Sequence, residues 1–317
     1  MLNADNIKFR AHASGHIMTE PVGKSNLDKL IEATDSLGKA KAAYALIKNK
    51  EPKTAIKTLN SIDSLEKKIP ELALIKDEVN LSESCITHLI DIFVSQKYNR
   101  HSQINSKYLD KGNEVEEDSI TVLCLLDGIR YEKNEITFEN DFFIGTPDVL
   151  KREVSKLIKQ VKDTKSAWDI FTFYRAIYKK IKDLYYWQIM TYIDLTGAES
   201  GTIDYCLNNT PYHLIEAELR KESYQYEENN TPAWVELQII ANHVYDKKTF
   251  EEYYNRRNCL PLDDKNALAV VAGFVEIPLE ERHFEFKVER NDEEIERMHQ
   301  RVIDCRKYMN KHLFKIA

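Results

Sequence analysis

ITFENDFFIGTPDVL (136–150) and LIKQVKDTK (157–165) are the stretches on which the fold turns. The first is rich in aromatic and β-branched residues and contains a G-T-P turn, so it reads as paired strands. The second reads as a further strand. Asp148 closes the first stretch just after the turn, and Asp163-Thr164-Lys165 follows 15 residues later. Residues i and i+2 of a strand point to one face, so Asp163 and Lys165 project together with Val161. Lys162 and Thr164 point the other way. A hard cation such as Mg²⁺ takes oxygen ligands, usually one or two carboxylates completed by water and substrate phosphate. Such a cation neutralises phosphate charge and acidifies the attacking water in phosphodiester hydrolysis. A lysine beside the carboxylates can orient that water and offset developing charge. Taken alone, P-D followed by D-x-K occurs by chance in many proteins of this size.

Working outward, Glu116 lies on the stripe Glu116, Ser119, Ile120, Leu123, spaced for one helix face. A carboxylate sharing a stripe with Ile and Leu is expected to be partly buried and therefore paired or metal-bound. Downstream, Gln188 and Tyr192 stand i, i+4 in YYWQIMTY and can hold a nucleotide phosphate or base. The neighbouring Tyr186, Trp187 and Ile189 read as core packing.

The wider pattern predicts helix over 27–80, broken at Glu51-Pro52 and interrupted again at Pro70. Helix resumes over 83–97, then over about 104–127, where Gly112 is the weak point. Helices at 168–178 and 182–195 precede a strand at 202–207. Beyond 210 the pattern gives a helix near 232–245, a strand near 283–288 and a closing helix over 292–312, capped by Asn291 or Asp292. The expected fold class is α+β (α/β), one central mixed sheet flanked by helices. The whole of 1–317 is expected to be a single domain, with 27–80 a helical insertion and 104–210 the catalytic core.

At 43% hydrophobic and 31% charged, the composition is that of a globular protein with an ample core. No run reaches the roughly 18 apolar residues of a membrane helix. The N-terminus, MLNADNIKFRAHAS, has no apolar signal region, so a cytoplasmic protein with no membrane partner is expected. The five cysteines, at 85, 124, 206, 259 and 305, include no C-x-x-C pair. They read as reduced thiols rather than a zinc ribbon, a cluster or a disulfide framework, with Cys206 a small core residue.

The net charge of −7 weighs against nucleic acid only if the charges are evenly spread, and they are not. Lys151, Arg152, Lys156, Lys159, Lys162 and Lys165 face only Glu153 and Asp163 in 151–165. Lys179, Lys180 and Lys182 form a second cluster. Acids gather at 114–118 and 289–296. His12 and His16, at i, i+4, lack an evident third ligand, and Arg256-Arg257 reads either as a phosphate contact or as surface charge.

In order, G-x-x-x-E (Gly112 to Glu116), G-T-P-D (Gly145 to Asp148), D-x-K (Asp163, Lys165) and Q-x-x-x-Y (Gln188, Tyr192) resemble the PD-(D/E)XK nuclease superfamily. The likeness is nearest to the YqaJ-like, lambda-exonuclease-type viral recombinases of phages. It runs through FRAHASGHIMTEP, KYLDKGNEVEEDSI, YYWQIMTYIDLTGA, YCLNNTP and the tail from IPLEERHFEFKV to RKYM, leaving out about 27–80.

The resemblance implies that Glu116, Asp148 and Asp163 ligate Mg²⁺, or Mn²⁺ in its place, with the Thr164 carbonyl as a further ligand. Lys165 would serve the water, and Gln188 would hold the DNA end with Tyr192 beside it. Arg10 and Ser14 would bind a terminal 5′-phosphate. Asp163 stands where many members carry Glu, which shortens the reach by one methylene. The basic KREVSKLIKQ (151–160) is unusual for the family and is expected either to track the DNA backbone, through Lys151 and Lys159 with Lys162 just beyond it, or to be a mobile hairpin.

The implied activity is 5′→3′ exonucleolytic digestion of linear duplex DNA, yielding single strands for phage-type recombination or repair. An endonuclease or nickase of the same fold and an inactive DNA-binding protein are the alternatives. Implied partners are DNA ends, a single-strand annealing protein and further copies of the chain in a homo-oligomer. A phage-encoded protein would work in the host cytoplasm.

Overall fold

The structure is a computed structural model that describes residues 3–76, 78–102, 106–153, 157–257 and 264–316. Lys156 of the basic run and Cys259 lie outside the described residues, as do positions 104 and 105 at the start of the expected core.

A short strand β1 (Phe9–Arg10) and a one-turn helix α1 (Ser14–Ile17) open the chain. Three long helices follow: α2 (Asn26–Ile47), α3 (Pro52–Ile75) and α4 (Glu83–Tyr98). Helices α5 (Lys107–Glu114) and α6 (Glu116–Asp127) lead into β2 (Phe138–Glu139), β3 (Phe143–Gly145), β4 (Val149–Arg152) and β5 (Ile158–Ser166). Then come α7 (Ile170–Ile177), α8 (Asp183–Thr196) and β6 (Ser200–Cys206). Four helices, α9 (Tyr212–Ser223), α10 (Ala233–His243), α11 (Lys247–Arg257) and α12 (Lys265–Ala272), precede β7 (His283–Glu289) and α13 (Asp292–Tyr308).

The chain divides into two compact units, one of Met1–Ile7, His16–His101 and Met298–Ala317, the other of Lys8–Gly15 and Ser102–Arg297. In the first, α2 begins with a capping box in which the Ser25 hydroxyl accepts from the Asp28 amide. Ala33, Ala55, Ile62 and Leu72 are its buried positions on α2 and α3. Pro70 was expected to interrupt the second helix, but α3 runs through it to Ile75. A mid-helix proline costs about 3 kcal/mol. Pro70 is exposed, and buried Leu72 on its far side keeps the last turn attached to the core. His16, weighed as a metal ligand, stacks on His88 with ring centroids 5.6 Å apart.

The second unit holds the strands. They form two sheets, β1-β3-β2 and β4-β5-β6-β7, where one central sheet was expected. The division falls at Gly145-Thr146-Pro147-Asp148, between β3 and β4. Pro147 has no amide to continue a ladder, and Asn134 clamps the turn instead. The Asn134 side chain donates to the Pro147 carbonyl (2.9 Å) and its amide donates to the Asp148 carbonyl (2.8 Å). Gly145 is required by a close approach: a Cβ there would lie 2.6 Å from the Ala11 Cβ and 2.8 Å from Tyr192 Cε1.

In the larger sheet β5 and β6 run parallel, with β4 and β7 antiparallel on the outside. A parallel pair needs a crossover, which α7 and α8 supply. All seven residues of β6 are buried, as in a strand covered on both faces. Gly201 lets α8 sit directly on the sheet, since a Cβ there would lie 2.6 Å from Ile189 Cγ1.

The helix expected over 104–127 is two helices, and the break is at Val115 rather than Gly112. Val115 is buried, with φ −104° and ψ 14°. Its amide donates to the Lys111 carbonyl and its carbonyl accepts from the Ser119 amide and hydroxyl and from the Asn208 side chain, so the end bonds of both helices are met at the break. Helices α9, α11 and α12 add a satellite core that the sequence pattern left unread, with Ile215, Leu219, Leu237, Ile240 and Phe250 buried together. Asn291 is the cap of α13, its side chain accepting from the Glu293 and Glu294 amides. Among the described residues, no helix is long and apolar enough to cross a membrane.

Candidate active site

The β4–β5 register pairs Val149 with Lys162. One step further, antiparallel pairing sets Asp148 opposite Asp163. Two carboxylates facing across a ladder repel one another, yet both are held in place. One Asp148 oxygen accepts from the Thr164 amide (2.7 Å) and the Thr164 hydroxyl (2.9 Å). Asp163 is 1% exposed; its Oδ1 accepts from the Gln188 amide (2.9 Å), and Lys165 Nζ lies 2.5 Å from its Oδ2. That Oδ2 is buried, with the Lys165 ammonium against it.

The electrostatics follow from burial. Burial and then the Asp163 charge push the Asp148 carboxyl up to about 7, against the pull of Lys165 and the Thr164 amide. Burial raises Asp163 as well, more than Lys165 lowers it. For Lys165 burial favours the neutral amine, but Asp163 and Asp148 outweigh it and hold the ammonium above its ordinary range. The pair of carboxylates is thus under-compensated by one lysine.

Glu116, Asp148, Asp163, Lys165, Gln188 and Tyr192 line one cleft of about 620 Å³. Not all of them converge. Glu116 opens α6 and accepts from Lys133 Nζ (2.7 Å). Among the described residues, no three His, Cys, Asp or Glu side chains are gathered closely enough to hold a metal ion. Asp148 and Asp163 are adjacent, both are driven toward neutrality, and they share a single lysine. Such a pair fits Mg²⁺, which needs only one or two protein carboxylates. The expected triad is therefore a pair, with Glu116 turned to a lysine. Thr164, expected to lend its carbonyl, holds Asp148 through its amide and hydroxyl.

Gln188 and Tyr192, expected to grip DNA, are 5% exposed each. The Gln188 amide donates to Asp163 and, at 3.4 Å, to the Tyr192 hydroxyl. Gln188 therefore orients Asp163, with the Tyr192 hydroxyl beside its amide. Arg10 is exposed on β1, whereas Ser14 is fully buried and its hydroxyl donates to the Ala11 carbonyl (2.7 Å). Lys151 is half-buried on β4, and exposed Lys159 pairs with Glu153 at 3.1 Å.

Lys162, counted with the basic run as a DNA contact, is corrected by the structure. It is 2% exposed on the far face of β5 and donates to Asp204 (3.3 Å), with Glu285 at 3.6 Å and Asp127 at 3.8 Å. Asp204 also accepts from the Thr202 hydroxyl, and His283 Nε2 lies 2.8 Å from its Oδ1. An acid in the otherwise apolar TIDYCL is the signal that could have found this network.

Lys111 escaped the sequence reading too. It is 1% exposed and donates to the Ala167 and Trp168 carbonyls (2.6 and 3.0 Å), tying α5 to the end of β5. Burial lowers its ammonium to about 7.

No protein-family model and no curated protein matches the chain. Among solved structures, a phage-related exonuclease from Haemophilus somnus 129PT is similar, with a TM-score of 0.59 over 98% of this chain and 97% of that one at 19% identity. An alkaline exonuclease from Laribacter hongkongensis aligns over 99% and 97% at 12% identity and TM-score 0.47. Its complex with dAMP aligns over 74% and 88% at 13% identity and TM-score 0.43. The first of these likenesses is one of fold over nearly the whole length, a mixed arrangement of helices and sheets.

Proposed function

We propose that this chain is a Mg²⁺-dependent exonuclease that digests linear duplex DNA from its ends, 5′→3′, leaving single strands for phage-type recombination or repair. The observation that carries the reading is the under-compensated pair of half-buried Asp148 and buried Asp163 with Lys165 against it in one cleft. The fold shared with the Haemophilus somnus exonuclease supports it.

In this reading Asp148 and Asp163 hold the metal, and Glu116 joins once it is released from Lys133. The bound cation would neutralise phosphate charge and acidify a water. Thr164 fixes Asp148 through two hydrogen bonds, and Gln188 aims Asp163. The Lys165 ammonium stands where it can orient water and stabilise negative charge on the phosphate oxygens, in a site shielded from bulk solvent.

The test is digestion of end-labelled linear duplex beside covalently closed circles, with Mg²⁺ and with a chelator. Mg²⁺-dependent loss of linear DNA, starting at the 5′ label, with circles intact is the expected result. Cutting of circles would replace the exonuclease by an endonuclease or nickase. Hydrolysis of neither would overturn the nuclease reading.

A further inference from the structure

The segment 170–182, IFTFYRAIYKKIK, contains Arg175, Lys179, Lys180 and Lys182 and no acidic residue, in a chain of net charge −7. Among the described residues, no carboxylate is ion-paired with any of the four. Phe171, Tyr174 and Tyr178 recur at i, i+3 and i+7, so they share one face of α7 and its C-cap. The core does not account for them. Phe173 fills that role at 1% exposed, whereas Phe171 is 53% and Tyr178 85% exposed. The Tyr174 and Tyr178 rings already stack on each other, with centroids 6.4 Å and planes 24° apart.

The position is equally specific. Thr172 and Ala176, on another face of α7, line the cleft that holds Asp148 and Asp163, and Lys182 lines it as well. Phe171, Tyr174 and Arg175 line a second groove of about 830 Å³, in which Gln238 and Asn242 supply amide groups. One short helix therefore separates the acidic cleft from an aromatic, cationic groove.

Exposed rings interleaved with unpaired cations are what an unpaired nucleic-acid strand requires. Its bases stack on the rings whatever the sequence, and its phosphates meet the cations. A duplex hides its base faces, and an apolar protein segment would use the rings but leave the cations unmatched. We propose that the outer face of α7, with Lys179 and Lys180, is a stacking platform for single-stranded nucleic acid beside the cleft. Its role of guiding a strand released by digestion rests on the nuclease reading; the binding itself does not.

The experiment is fluorescence anisotropy of labelled oligothymidine and of blunt duplex on the full chain, in chelator so that nothing is hydrolysed. The double variant Phe171→Ala/Tyr178→Ala is expected to bind oligothymidine about tenfold more weakly or worse, with blunt-duplex affinity little changed. Tyr178→Phe keeps the ring and is expected to bind like the wild type. Lys179→Glu/Lys180→Glu is expected to flatten the salt dependence by at least about 1.4 in log–log slope, from two lost contacts at about 0.7 each.

Unchanged oligothymidine binding by the double alanine variant would overturn the platform, as would a Tyr178→Phe defect as large as alanine's. Thermal melting shows whether the alanine variant is folded. If it is not, Tyr178→Phe and the charge reversal decide. Ring-dependent oligothymidine binding by a wild type that hydrolyses no DNA would sink the nuclease reading and leave the platform. Digestion of linear duplex together with ring-independent binding would do the reverse.

Discussion

The two faces of β5 carry charge in opposite conditions. On the cleft face, Asp163 and neighbouring Asp148 share Lys165, and both carboxyls are driven above their ordinary range. On the far face, burial would raise Asp204 too, but His283, Lys162 and Thr202 more than cancel it and hold that carboxyl below the usual carboxylate value. Adjacent residues of one strand thus enter a satisfied network and an unsatisfied one. A buried charge whose partners are complete belongs to the architecture, and breaking it is costly. A buried charge whose partners are incomplete reserves room for something that arrives later, which is why perturbed carboxylates mark sites.

The comparison breaks most visibly in activity. Asp148→Ala, Asp163→Ala or Lys165→Ala is expected to slow single-turnover hydrolysis on the order of 10³-fold or more while the fold and most DNA affinity survive. Near-wild-type rates in any of the three would remove the cleft face from the chemistry. Lys162→Met should do the opposite, leaving Asp204 buried with one partner fewer. A loss of about 3–5 kcal/mol in denaturant unfolding is expected, with no change in the salt dependence of DNA binding.

Metal addition separates the faces without any substrate. Mg²⁺ at about 100 times its dissociation constant should stabilise the wild type by about 2.7 kcal/mol in thermal or denaturant unfolding. Asp148→Asn should lose that increment, and Asp204→Asn should keep it although its starting stability is lower. A Mg²⁺ increment that survives in Asp148→Asn would move the metal elsewhere.

The faces should also differ in the sign of their pH dependence. Asp148 has its folded value raised from 3.8 to about 7, so the folded state holds the proton more tightly than the unfolded chain. Its contribution is fully present below about 4 and is lost as pH rises through about 7, on the order of 4 kcal/mol in metal-free protein. Asp204 is depressed in the fold, so its contribution is present above about 4 and is lost on acidification through its folded value. Stability–pH curves of Asp148→Asn and Asp204→Asn, each subtracted from wild type, should therefore slope in opposite directions. Parallel curves would mean that the two faces are electrostatically alike.

Sequence carried much of this where the physics is local. The period of two places Asp163 and Lys165 together and sends Lys162 the other way, and the structure agrees. The mistake about Lys162 came from counting it with a charged run instead of following its phase. A strand paired on both sides in a covered sheet buries both faces, so the far face had to be dry. The Glu116 stripe was legible as semi-buried, because helical spacing reveals it. Its partner Lys133 was not, because that contact joins a helix to a loop through an isolated bridge between Lys133 and Val149. The division into two sheets was hidden for a similar reason. Gly145 to Pro147 announces a turn, but only the Asn134 clamp shows that the chain leaves one sheet there for another. Helices α9 and α12 were readable in principle from their apolar spacing, whereas the buried Lys111 runs against every rule of composition.

Of the two hydrogen bonds that hold Asp148, one is donated by the Thr164 hydroxyl and the other by the Thr164 backbone amide. Only the first is encoded by the identity of the residue; no substitution short of proline removes the second. In a saturation library, Thr164 would therefore score as permissive and Asp148 as intolerant, although each is the other's partner. Inheritance guards the acid here, while the peptide bond itself guards its aim.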